Sequence, residues 1–372
     1  MKRIMLLLIV FILILTVFPP HISAAKKAVS ARSAILMDQD SGRILFEKNA
    51  NEVSRIASIT KIMTAILAIE SGKLNKTVTI SDRAVRTEGS SIYLKPGDKM
   101  KLEDLVYGLM LRSGNDAANS IAEYVGGSIE GFVFLMNQKA REIGMNNTHF
   151  ANPNGLDNRN LNHFSTAYDM ALLTRYAMQN KTYQKISGTK FYKGWRNKNR
   201  LLTEKYKYCT GGKTGYTKLA KRTLVTTATK NGEKLIAVTL NGPDDWNDHI
   251  WMFEYGFKSY NSTIILKQGN ITAIKNKYFK NHVYIKKEVD YPLNKQEKDK
   301  VQIEYKMIKP RKSWKDKNKI PEVVGRAIIY LNNEIINSVP IYYRKSDENA
   351  KRGWIKEFLH VLLIQMGVRE NG

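Results

Sequence analysis

The sequence predicts an α+β fold: an antiparallel sheet with helices packed on it, then a small all-β domain and a C-terminal amphipathic helix. Three observations predict it. Between Ala34 and about Tyr260, strand-like segments stand at both ends of a helical middle, the order produced when one antiparallel sheet is assembled from the two ends of a segment. After Tyr260 the chain turns to short β segments separated by turns. From Arg352 to Arg369 it returns to helical spacing with its large apolar side chains on one face.

The elements follow in order. Lys2 and Arg3, the apolar run Ile4 to Phe18, Pro19-Pro20 and then Ser23-Ala24-Ala25 form the three-part layout of a secretory signal over residues 1–25. The apolar run is short for a membrane span, so export is expected. Ser33 to Asp38 and Gly42 to Phe46 read as strands around an Asp40-Ser41-Gly42 turn. Ile59, Ile62, Met63, Ile66 and Leu67 recur at helical spacing within Ile56 to Glu70. Leu102 to Met110, Asp116 to Val125, Gly131 to Ile143 and Thr166 to Ala177 are further helices, with Gly144 as a stop and Ser165 or Thr166 as a cap. Thr223 to Lys230 and Leu235 to Leu240 alternate as strands around Asn231-Gly232, a strong hairpin turn, and Asn247 to Phe257 closes this first domain (26–260) as a helix. In the all-β domain (261–350) the expected strands are Ile264 to Lys267, Ile271 to Ile274, His282 to Lys286, Val301 to Ile308, Arg326 to Leu331 and Ile335 to Tyr343. In the last segment (351–372), Trp354, Ile355, Phe358, Leu359, Leu362 and Met366 share a face opposite Lys356, Glu357 and His360. That pattern suits a helix lying on an anionic membrane surface, the alternative being a helix docked on the β domain or on a second copy.

Composition narrows the function. The formal charge is +26, which attracts any polyanion. For an exported chain the polyanions at hand are anionic lipid and cell-wall polymer, and nucleic acid is not an expected partner. The lone Cys209 excludes an internal disulfide framework, and its plain reading is an ordinary strand thiol. Six scattered histidines with no paired spacing give no metal site, and no cofactor is expected.

Three short motifs carry the chemistry. Ser58-Ile59-Thr60-Lys61 opens a helix, placing Lys61 one turn beyond Ser58 and within reach of its hydroxyl. An alcohol is a poor nucleophile until a base takes its proton. A lysine serves only if burial and positive neighbours depress its pKa. Ser113-Gly114-Asn115 offers a hydroxyl that can relay a proton and an amide that can hold a peptide bond, though it would serve equally as the cap of the next helix. Lys213-Thr214-Gly215-Tyr216 supplies a cation and a hydroxyl for a carboxylate, with Gly215 admitting a substrate backbone. Singly each has a bland explanation; about one Ser-x-x-Lys match arises by chance in a chain of this length. Their order and context do not share one, because Ser-x-x-Lys with Lys-Thr-Gly is the set used by serine acyl-enzymes.

With Ala57 to Ala65, Leu109 to Ala118, Asn152 to Asp157, Ser165 to Leu172 and Gly211 to Ala220, these motifs resemble the low-molecular-mass penicillin-binding proteins, the D-alanyl-D-alanine carboxypeptidases. Ser30 to Ile35, Arg86 to Gly89 and Thr214 to Thr223 resemble the sporulation-specific member of spore-forming bacilli. The resemblance implies the penicillin-binding/β-lactamase-like fold, peptidoglycan stem pentapeptides as substrate, inhibition by β-lactam antibiotics, and a place outside the cytoplasmic or forespore membrane. It implies Ser58 as nucleophile, Lys61 as its base, Ser113 as proton relay and Asn115 on the substrate amide. Lys213 and Thr214 would hold the terminal carboxylate, and the N–H groups of Ser58 and Tyr216 would form an oxyanion hole. One departure stands out. Related carboxypeptidases carry a carboxylate-binding Arg just after the strand that follows Lys-Thr-Gly, whereas Asn241 to Asp248 has no Arg and three Asp. A β-lactamase is the nearest alternative, but the stretch Asn152 to Phe164 offers only Asp157 where that chemistry uses a Glu. An inactive cell-wall scaffold is the other.

Overall fold

Alternation along the strands decides how the first sheet is covered. In the computed structural model, which describes residues 29–157 and 162–345, strands β1 (Ser33–Asp38), β2 (Ile44–Lys48), β3 (Cys209–Thr217), β4 (Lys221–Lys230) and β5 (Glu233–Leu240) form one antiparallel sheet. Its order is β2-β1-β5-β4-β3. Ile35, Met37, Val225, Ile236, Val238 and Leu240 face the main core cluster. Leu36 and Leu235 face the other way, onto Gly256 of the helix that covers the back of the sheet. Side chains two apart on a strand share a face, so one five-stranded sheet serves two helical layers. This is the expected assembly from both ends of the segment.

The front layer comprises α1 (Lys61–Glu70), α2 (Leu102–Tyr107), α3 (Asn115–Gly126), α4 (Ile129–Glu142), α5 (Ala167–Ala177) and α6 (Lys181–Ser187), and α7 (Asp245–Ser259) lies behind. Every residue of α1 from Lys61 to Ile69 is buried. A helix apolar on all sides belongs at the centre of a core, and α1 touches each of α2 to α6. Thr166 caps α5 through its side chain, which accepts from the Asp169 N–H.

Local structure departs from the expectation in three informative places. Ser58 sits in a 3-10 turn, Ala57–Thr60, and the α-helix starts at Lys61. The helix expected to run from Leu102 to Met110 stops at Tyr107 and continues as a π-turn, Gly108–Arg112. Ser113 is not a helix cap: α3 is preceded by Gly114 with no side-chain cap, and Ser113 itself is left-handed, with φ 64°.

The division into compact units falls between Phe257 and Lys258. In the second unit, β7 (Gly269–Asn270), β8 (Val283–Ile285), β10 (Val301–Met307), β11 (Val323–Leu331) and β12 (Glu334–Tyr343) form an antiparallel sheet ordered β7-β8-β12-β11-β10. A separate ribbon pairs β6 (Asn261–Leu266) with β9 (Val289–Leu293). The core gathers Phe279, Val283, Ile285, Trp314, Val324, Ile329 and Ile341. The expected strand Ile271 to Ile274 is irregular chain, and β9 has no counterpart among the expected strands. The expected signal, residues 1–25, and the amphipathic segment 351–372 lie outside the described residues.

Candidate active site

The site is built where the first turn of the core helix meets the edge of the sheet. Ala57, also left-handed at φ 50°, swings the chain into the 3-10 turn. Thr60 locks that turn by donating to the Ala57 carbonyl at 2.8 Å. His163 secures Thr60 in turn. Its Nδ1 accepts from the Ala151 N–H at 3.0 Å, so Nε2 carries the proton and donates to Thr60 Oγ1 at 2.8 Å. Burial holds His163 neutral, its pKa pushed down to about 3.

Lys61 begins α1 fully buried, with three oxygens around its Nζ. They are Ser58 Oγ at 3.0 Å, Asn115 Oδ1 at 2.7 Å and the Asn154 carbonyl at 2.6 Å. Asn115 is oriented by its own Nδ2, which donates to the Glu88 carbonyl. Asn154 belongs to the turn Asn152–Leu156, whose Pro153 carbonyl accepts from Thr64 Oγ1 at 2.6 Å. Gly155 in that turn has φ +82°, and a Cβ there would overlap the Ala57 carbonyl oxygen. Only glycine allows that approach.

The other wall is β3, the free edge of the sheet. Cross-strand partners point to the same side, so Lys213, opposite Val225, faces the helical layer. Its Nζ donates to Ser113 Oγ at 3.0 Å and to the Thr214 carbonyl at 2.6 Å. A Cβ on Gly215 would stand 3.0 Å from the backbone nitrogen of Ser58. Thr223, opposite Gly215, donates to the Ile56 carbonyl at 2.9 Å and fastens strand to turn. Together these residues ring the site: Ser58 and Asn115 are hydrogen-bonded to Lys61, Ser113 to Lys213, and Gly215 stands against the Ser58 nitrogen. Thr214 is half-buried and Tyr216 exposed at the open edge.

Charge in this ring is one-sided. Burial, then Lys213 and Lys198, hold the Lys61 pKa well below the usual lysine range, against a smaller opposing pull from Asp116. Asp116 is engaged elsewhere, accepting from Ser91 Oγ and the Ile92 and Leu94 N–H groups. Burial and Lys198 bring Lys213 down to about 7.

Residues 21–244 match the family model for D-alanyl-D-alanine carboxypeptidases, peptidase family S11, and residues 260–349 match the C-terminal domain of penicillin-binding protein 5. The chain is 36% identical over 296 residues to the D-alanyl-D-alanine carboxypeptidase DacF of Bacillus subtilis, covering 73% of this chain and 75% of that protein. The chain belongs to this family. It is a serine-type D-alanyl-D-alanine carboxypeptidase of the low-molecular-mass penicillin-binding class. The crystal structure of penicillin-binding protein 5 from Haemophilus influenzae is similar over 86% of this chain and 98% of that one, at 26% identity and TM-score 0.72. A D-alanyl-D-alanine carboxypeptidase structure from Mycobacterium tuberculosis is similar over 63% of this chain and 95% of that one, at 32% identity and TM-score 0.58.

The carboxypeptidase fills the missing-Arg region in its own way. Arg222 lies opposite Tyr216 on β4 but points to the α7 side, bound to Asp245 at 2.7 Å and stacked over Trp246. Lys198 is the cation within electrostatic reach of both site lysines. Its Nζ donates to Ser90 Oγ at 3.1 Å, its backbone N–H to the Leu111 carbonyl, and burial with Arg112 lowers its pKa. Sequence reasoning singled out neither Lys198 nor His163 nor the Asn154 carbonyl. Asn154 lies within a stretch that resembles the family; Lys198, between Asn197 and Asn199, carries no spacing signal. Asp157 is turned to Arg55 at 3.8 Å and to the Leu219 N–H at 3.3 Å. Cys209 opens β3 buried, its Sγ against the Gly211 carbonyl, and burial pushes its pKa up to about 12.

Proposed function

We propose that this carboxypeptidase removes the terminal D-alanine of peptidoglycan stem pentapeptides through an acyl-enzyme on Ser58. The observation that carries the reading is the set of oxygens around Lys61. Asn115 Oδ1 and the Asn154 carbonyl can only accept, while the Ser58 hydroxyl can also donate. A neutral amine matches that set: it gives its two hydrogens to the two carbonyls and turns its lone pair to Ser58 O–H. The depressed pKa favours this neutral form.

Ser58 Oγ then attacks the carbonyl of the penultimate D-alanine while Lys61 takes its proton. The N–H groups of Ser58 and Tyr216 face the developing oxyanion. Ser113, hydrogen-bonded to Lys213, passes a proton to the nitrogen of the departing D-alanine as the C–N bond breaks, and the proton that Lys61 took from Ser58 replaces it, leaving Lys61 neutral. Asn115 holds the substrate amide, and Thr214 with Lys213 grips the terminal carboxylate. Lys198 adds positive potential on the opposite wall, which supports anion recognition without the Arg found in relatives. Water completes the cycle: neutral Lys61 takes a proton from the attacking water and delivers it to Ser58 Oγ as the ester C–O bond breaks.

β-Lactams enter the same route and stall as the Ser58 ester. The enzyme acts outside the cytoplasmic or forespore membrane after loss of residues 1–25, with 351–372 on the anionic surface, and its likeness to the sporulation-specific member supports a role in cortex formation. Incubation with penicillin should add one antibiotic mass to the intact protein, and Ser58→Ala should abolish both the adduct and D-alanine release from a pentapeptide. An adduct that persists in Ser58→Ala sinks the reading.

A further inference from the structure

The second unit carries a feature unconnected with peptide hydrolysis. Between β10 and β11 the chain makes two 3-10 turns, Lys312–Lys315 and Lys317–Lys319. Six cations fall between Lys309 and Lys319, with Asp316 the one acid among them. Asp316 caps the second turn through the Asn318 N–H and lies 4.0 Å from Lys319. The side chains of Lys309, Arg311, Lys312, Lys315 and Lys317 are exposed and have no carboxylate partner among the described residues. Of these, Lys309 and Arg311 line a cleft of about 570 Å³ together with Lys319, Ile308, Pro310, Trp314 and Pro321. Its base is held by Trp314, 4% exposed and packed edge-on against Phe279.

We propose that this cleft docks the phosphate headgroups of an anionic phospholipid surface. Two observations favour a membrane over a soluble polyanion. An apolar floor with a cationic rim matches the boundary between acyl chains and headgroups, where each Lys or Arg adds attraction to anionic lipid. A soluble polyanion needs only the rim. The second observation is where the chain goes next. Lys345, the last described residue, donates from Nζ to the Asn318 carbonyl at 3.1 Å, so the described chain ends beside this loop, and the sequence goes on from there to Trp354, Phe358 and Leu362. The cleft goes beyond the peptidase reading and stands whether or not that reading does.

The test uses protein beginning at Lys26 with its C-terminal segment intact. Sedimentation is measured with vesicles of phosphatidylglycerol and phosphatidylcholine in equal parts, and with phosphatidylcholine alone. Lys309→Glu with Arg311→Glu should lower partition into the anionic vesicles roughly tenfold or more and flatten its salt dependence. Binding to neutral vesicles and D-alanine release from a soluble pentapeptide should not change. Lys181→Glu with Lys185→Glu, two exposed lysines of α6 giving the same charge change, should have a much smaller effect. Equal loss in both variants, or unchanged anionic binding in the cleft variant, overturns the proposal. So does a cleft variant that loses only affinity for a soluble glycerol-phosphate polymer. Lys309→Arg with Arg311→Lys should keep wild-type binding and thermal midpoint, which separates lost charge from lost fold. The penicillin adduct, read on the same samples, reports on Ser58 alone.

Discussion

An amine acts as a base only while it is uncharged, and burial, then its positive neighbours, push the Lys61 pKa toward that form. Lys198 contributes to that state at Lys61 and at Lys213. Removing a positive neighbour raises both pKa values. We therefore expect Lys198→Ala to move the acidic limb of the kcat/KM profile to higher pH, so that activity falls most on that limb and recovers as pH rises. A variant that loses activity equally at every pH would mark Lys198 as merely structural. At this scale the sequence exposed Ser58, Lys61, Ser113, Asn115 and Lys213, because the chemistry ties each to a short fixed motif, and the structure brings all five to one site, Ser58 and Asn115 hydrogen-bonded to Lys61 and Ser113 to Lys213. Lys198, His163 and the Asn154 carbonyl could not be read that way. What they do depends on a tertiary position, and for Asn154 on a backbone atom that every residue possesses.

Among the elements, the turn Asn152–Leu156 invites a direct test, since it supplies one of the two acceptors on Lys61. Gly155→Ala adds a Cβ against the Ala57 carbonyl at a left-handed φ. It should cost roughly 1–3 kcal/mol of stability and lower acylation of Ser58 by penicillin, both measurable on the folded variant. A second test concerns the buried histidines. His249 lies between Thr226 on β4 and Thr239 on β5, and like His163 its pKa is pushed down to about 3 by burial. The unfolded chain takes up protons at these sites from about pH 6.5 downward, while the native chain does not. Stability therefore falls as pH drops from about 6.5 toward 3. Urea unfolding should show that slope, and His249→Gln should reduce it. Element types were legible wherever periodicity ran long, as in α1, α5 and the β4–β5 hairpin. They were missed where local composition misleads. β9 carries Pro292, a residue depleted from strand interiors, and pairs with β6 as a two-stranded ribbon. Ile271 and Ile274 looked like a strand but are buried as side chains of an irregular loop.

At the scale of the whole molecule, the site lies within the first unit. The Mycobacterium tuberculosis structure, matched over 63% of this chain and 95% of its own length, shows the catalytic fold without a counterpart to the remainder. A chain ending at Phe257 should accordingly bind penicillin and release D-alanine from a soluble pentapeptide as the full protein does; failure to acylate despite a native thermal transition would refute this. The architecture was legible because a composition shift marks the join, while the loop between β10 and β11 carries no such mark, its cations being brought beside one tryptophan only by its two turns. The single thiol has a practical corollary. Cys209, enclosed at the head of β3 and pushed far from ionisation, will ignore alkylating dyes at neutral pH. The wild-type protein is thus a ready background for site-directed probes: one cysteine introduced at Tyr216 would take a fluorophore alone and report substrate arriving at the open rim.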